Sequence, residues 1–174
     1  MPKTLLFVIA SEGFQPIEYG DAKKVLEAAG HRVVTVSDMA GKAITKDGSV
    51  TAVDLLVKDV ILVGYDGLFF IGGPGALEHL DNGGSYELLR EWQKTGKPYG
   101  AICISPRILA KAGVLQNKKA TGWDGDGELG GILSAHGAEY VRQPVVVDGN
   151  VVTGNGPSAA REWGEKINEI LNKR

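Results

Sequence analysis

The sequence predicts an α/β protein, a three-layer α/β/α sandwich of flavodoxin-like type built on a mostly parallel sheet. Short runs such as residues 4–10 and 67–71 are continuously apolar, as strands covered on both faces must be. Stretches with apolar residues at helical spacing alternate with them along the chain. A strand also passes abruptly into a helix at Cys103, with the thiol at the bend, in the form of a nucleophile elbow.

The first strand covers residues 4–10. Residues 16–29 follow as a helix, with Pro16 at its first position, Ile17, Ala22, Val25, Leu26 and Ala29 on its apolar face, and Gly30 as its stop. Residues 32–37 read as a second strand, and Lys46-Asp47-Gly48-Ser49 places a hairpin within 41–53. A third core strand spans 67–71, a short helical stretch follows the Gly72-Gly73-Pro74-Gly75 loop, and 85–95 form a helix. Beyond Cys103, Ser105 is placed as an N-cap ahead of Pro106. Residues 123–135 hold a helix behind a glycine-rich loop, 144–153 a hairpin around Asp148-Gly149-Asn150, and 157–171 the closing helix.

Residues 1–174 are expected to form one domain, a size at which about two-thirds of the unfolded surface is buried. A net charge of −2, with no basic stripe, argues against nucleic-acid or anionic-membrane binding and for a small-molecule ligand. The apolar runs are strand-length, far short of the ~20 residues of a membrane helix. One cysteine and no signal-like opening point to the cytoplasm.

In a doubly wound sheet the ligand crevice lies at the carboxyl ends of the strands. The loops at 11–17, 72–75 and 103–106 leave those ends. Cys103, facing the unpaired amides of the next helix, is expected to favour the thiolate, although a lone cysteine reads equally as a small buried hydrophobe. The 72–75 loop reads as an oxyanion site or as a tight turn; without a Gly-Lys-Ser/Thr ending it is no Walker loop. Glu18, early in the first helix, reads as a desolvated carboxyl that keeps its proton or as an ordinary helix-start acid.

Three other motifs carry less. Gly154-Asn155-Gly156-Pro157-Ser158-Ala159 matches a dinucleotide fingerprint in form, but no following strand supplies its acidic residue. Asp124, Asp126 and Glu128 cluster, yet a calcium loop starting at Asp124 would need glycine where Leu129 stands. His31, His79 and His136 have no metal-ligand spacing; His31 is placed on the surface, and His79 and His136 are weak candidates for a catalytic base.

Glu18 after strand one, Gly72-Gly73 after a middle strand, and Ala101-Ile102-Cys103 with Pro106 at an elbow together resemble the ThiJ/PfpI superfamily, which has a class I glutamine amidotransferase-like fold. The resemblance runs from Lys3 to the last helix and takes in the Val147-Asp148-Gly149-Asn150 hairpin. It implies Cys103 as nucleophile, Glu18 as the carboxyl against its sulfur, and the Gly73 and Ile104 amides as the oxyanion site. Gly72, Trp123, Asp124 and Asn155 are the further pocket positions.

By the same resemblance the activity is cysteine-dependent chemistry on small reactive carbonyls or glycated groups, of glyoxalase or deglycase kind. It needs no metal or organic cofactor, and the protein forms a homodimer or homohexamer. The alternative is a non-enzymatic stress-response redox sensor oxidised at Cys103; an intracellular peptidase or another hydrolase ranks lower. Protease-type members carry histidine after the cysteine, where this chain has Ile104. The deglycase-like branch often has a histidine where this chain reads Ala120-Thr121-Gly122-Trp123, and an arginine in the closing turn where it has Asn155.

Overall fold

The computed structural model describes all 174 residues. Its seven-stranded sheet joins β1 (Thr4–Ile9), β2 (Arg32–Ser37), β5 (Leu55–Leu56), β6 (Gly67–Phe70), β7 (Tyr99–Ile102), β10 (Val145–Asp148) and β11 (Val151–Gly154) in the order β10-β11-β7-β6-β1-β2-β5. All neighbours are parallel except the β10–β11 hairpin at one edge. Counting only the core strands, the order is the 2-1-3-4-5 of flavodoxin-like sheets, as expected.

Helices cover both faces of the sheet. On one, α1 (Pro16–Ala28) packs along α6 (Ala160–Asn172). On the other, α4 (Pro106–Ala112) lies between α3 (Gly83–Lys94) and α5 (Leu129–Ala135), while α2 (Ala76–Leu80) is a short turn after β6. Phe7, Phe69 and Trp163 meet at ring separations near 6 Å, and the Trp163 indole donates to the Val152 carbonyl, so α6 is pinned to the sheet by packing and one satisfied polar atom.

The hairpin of β3 (Lys42–Ile44) and β4 (Val50–Ala52) forms where Lys46-Asp47-Gly48-Ser49 placed it. It docks on the loop after β1, where Gly13 donates to the Ile44 carbonyl and Ile44 to that of Ser11, both at 2.8 Å.

Several boundaries differ from expectation. Helix α3 begins two residues early, because the Asn82 side chain accepts from the Ser85 amide and caps it. Ser105 precedes α4 but does not cap it: its buried hydroxyl donates to the Ile71 carbonyl at 2.7 Å, tying the elbow to β6. His31, expected on the surface, is 6% exposed; its Nδ1 accepts from the Lys3 amide and its Nε2 bonds Asn168 on α6. The closing helix starts with a 3-10 turn over Pro157–Ala159. Two further strands, β8 (Lys119–Ala120) and β9 (Glu139–Tyr140), pair in parallel beside α5.

Candidate active site

Strand β7 ends at Ile102 and α4 begins at Pro106, so the chain must reverse within three residues. Cys103 takes φ +64°, a left-handed conformation that costs an L-residue with a Cβ and persists only where its surroundings over-determine it. They do. The Cys103 amide donates to the Gly154 carbonyl at 2.9 Å, and its carbonyl accepts from the Trp123 amide at 2.7 Å. With the Ser105 hydroxyl on Ile71, the bend is fastened to β6, β11 and the loop before α5.

Glu18 reaches this bend from the first turn of α1 and is completely buried. Its Oε1 accepts from the Gly72 amide at 2.9 Å, its Oε2 makes no hydrogen bond to nitrogen or oxygen, and the carboxyl bears on the Cys103 thiol. Only glycine fits at 72, since a Cβ there would stand 2.5 Å from the Cys103 Cβ and 2.7 Å from Glu18 Oε1. Gly73 has φ +124°, and a Cβ on it would stand 2.4 Å from the Gly13 carbonyl oxygen. The loop is therefore bare so that the carboxyl, the thiol and the backbone can close together.

Burial pushes the Glu18 carboxyl up to about 7, against the opposing interactions with Cys103 and the Gly72 amide. Cys103 is pushed up to about 12, first by burial and then by the charge and hydrogen bonding of Glu18, while the Ile104 and Gly73 amides pull it back. The helix-start environment expected to favour the thiolate is thus outweighed, chiefly by burial and further by Glu18. Protonation of Glu18 removes its charge from the thiol, but the burial remains. The two groups are coupled, so their ionisations belong to the pair rather than to either residue.

The other expected positions divide. Trp123 sits beside the elbow through its bond to Cys103 and is 40% exposed. Asp124 faces inward, its Oδ1 accepting from the Leu129 amide at the start of α5. Asn155 follows Gly154 and shares a cavity with Thr121. His79 is engaged elsewhere, its Nδ1 3.1 Å from Asp38 Oδ2 and 3.4 Å from the Ser11 hydroxyl, and His136 lies at the C-cap of α5. No group of three His, Cys, Asp or Glu stands where it would hold a metal ion.

Sequence reasoning missed Arg107. It is buried on α4, bonds both oxygens of Asp126 at 2.8 and 2.9 Å and the Trp123 carbonyl at 3.2 Å, and lies over the Trp123 ring. This fork holds Asp126 down to about 2 and shapes the 123–128 loop. An arginine one position after Pro106, facing a downstream acidic loop, was the available signal.

The DJ-1/PfpI family profile matches residues 3–170. The chain belongs to the DJ-1/PfpI family. It is 32% identical to deglycase PfpI of Pyrococcus furiosus over 167 residues, covering 96% of this chain and 98% of that one. Among solved structures, a ThiJ/PfpI domain protein from Brachyspira murdochii superposes with a TM-score of 0.92 at 29% identity, over 98% of this chain and 97% of that one. Drosophila melanogaster DJ-1beta gives 0.87 at 28% identity, over 100% and 92%. Membership in the DJ-1/PfpI family supports deglycase- or protease-like function at the family level.

Proposed function

We propose that this DJ-1/PfpI protein is a cofactor-independent, cysteine-dependent enzyme acting on small reactive carbonyls or glycated groups. The observation that carries the reading is the fully buried Glu18 carboxyl set against the Cys103 thiol, with the Gly73 and Ile104 amides directed at the sulfur. In the first step Sγ bonds the aldehyde carbon, and the carbonyl π pair moves to oxygen. Glu18 carries the thiol proton to that oxygen, and the two amides stabilise the charge that develops on it. Ile104 leaves no histidine beside the nucleophile, which argues against a Cys-His peptidase.

Cys103→Ser is expected to abolish methylglyoxal consumption, and Glu18→Gln to reduce it by about 100-fold, the contribution of one positioned proton carrier. Unchanged rates in both variants would defeat the mechanism.

One observation favours a second reading, a redox sensor. The unpartnered Glu18 Oε2 and the two amides would also hold the oxygens of a Cys103 sulfinate, each oxygen coming from one peroxide reduced to water. Mild peroxide should then give a two-oxygen adduct in the intact mass, suppressed in Glu18→Leu; a thiol left unoxidised speaks against it. In either role we place the protein in the cytoplasm as a homodimer or homohexamer. Support comes from a chain without a helix long and apolar enough to cross a membrane, and from the exposed Met39, Ile44 and Val50 at the β3–β4 hairpin.

A further inference from the structure

A cavity of about 200 Å³ beside the elbow holds a cation that the carbonyl chemistry above leaves without a task. Its walls are Thr121, Tyr140, Arg142, Gln143, Pro144 and Asn155, and Arg142 is the only charged side chain among them. Two of these walls are tied to the peptide units of the nucleophile. Asn155 follows Gly154, whose carbonyl accepts from the Cys103 amide, and Thr121 lies two residues before Trp123, whose amide donates to the Cys103 carbonyl.

The Arg142 side chain is 80% exposed and makes no hydrogen bond within the chain; its one ion pair is loose, Nη2 standing 3.8 Å from Asp124 Oδ2. Its guanidinium lies 5.2 Å from the centre of the Tyr140 ring, which carries it along the cavity wall. Arg107 shows the contrast: a buried guanidinium forked onto Asp126. The Asn155 and Gln143 side-chain amides likewise make no hydrogen bond within the chain, so neutral donors stand beside this loosely paired cation. The cavity that includes Lys46 is different, because Glu12 and Glu78 line it too.

We propose that Arg142 is a specificity-determining residue, drawing the carboxylate of a small anionic aldehyde into this cavity and turning its carbonyl toward Cys103. The inference rests on the carbonyl reading of the Cys103 site. A planar fork of donors suits a carboxylate, and an exposed position lets the ligand exchange with water.

Iodoacetate and iodoacetamide test this without turnover. Both form the same sulfur–carbon bond with loss of iodide, and they differ in charge. The ratio of their rate constants at Cys103 is expected to fall about two- to fivefold in Arg142→Ala, as for loss of one exposed charge interaction. It should fall further in Arg142→Glu, hold in Arg142→Lys, rise in Asp124→Asn, and shrink in the native protein at high salt. The iodoacetamide rate alone should stay within about twofold across the variants.

A ratio indifferent to Arg142→Ala and Arg142→Glu overturns the proposal, as does a parallel fall in both rates, which would mark a structural role. Methylglyoxal consumption measured alongside separates the two readings. A charge-dependent ratio without turnover defeats the carbonyl enzyme but keeps the anion subsite, and turnover with an indifferent ratio does the reverse. A thiol that reacts with neither reagent overturns both.

Discussion

Glu18 is held where an ionised carboxyl is expensive, and the cost appears as a pH dependence of folding. Its carboxyl titrates near 4.5 in the unfolded chain and is raised to about 7 in the fold. Between those values the folded state keeps a proton that the unfolded chain has released. The contribution of this group is therefore fully present below pH 4.5 and falls as pH rises through 7, by roughly 3 kcal/mol. Denaturant melts of the native protein should weaken across that window, and Glu18→Gln should flatten the decline. An equal slope in both would show that the site does not bury a protonated acid. Cys103 was legible as a candidate because it sits just after a core strand at an elbow; Glu18, in the first turn of α1, read alone as an ordinary helix-start acid and was singled out only by the family resemblance. Their mutual effect on ionisation was not legible, because it depends on the completeness of burial.

At the scale of elements, the loop between β8 and α5 is organised by one helix rather than by its own sequence. Arg107 on α4 clamps Asp126 and stacks near Trp123. Arg107→Met should release this loop, and Trp123 reports it, since Trp92 and Trp163 are fully buried and Trp123 is 40% exposed. Acrylamide quenching of the red edge of the emission is expected to increase; unchanged quenching would mean that the loop keeps its shape without the clamp. Strands β1 and β2 were readable because apolar pattern and local stop signals agree there; α1 was bounded correctly, but its buried face is Glu18, Tyr19, Ala22 and Leu26, with the expected Ile17 and Ala29 left exposed. The two-residue strands β5, β8 and β9 were not readable, because pairing with distant chain defines them: Thr35 and Asp54 exchange bonds to place β5 beside β2. His31 was misplaced for the same reason, its partner Asn168 lying 137 residues away.

Across the whole molecule, the parallel order β2-β1-β6-β7-β11 brings the ends of β1, β6, β7 and β11 to one crevice. The β3–β4 hairpin is docked to the loop after β1 at the same end. Ile44 and Val50 pair across that hairpin and are both exposed. This apolar patch is where the proposed oligomer would form. Sedimentation velocity should give a species larger than one chain, and Ile44→Lys with Val50→Lys should convert it to single chains. A native protein that sediments as a single chain would remove the oligomer from the account.

The pH profile of Cys103 alkylation, in the native protein and in Glu18→Gln, bears most directly on the coupling of Glu18 to Cys103. The rate is expected to rise through about pH 7, as the first proton leaves the Glu18–Cys103 pair, and Glu18→Gln to lose that step. A single ionisation at or above the ~8.5 of a free thiol, the same in both proteins, would contradict it and return Cys103 to the role of a buried structural thiol.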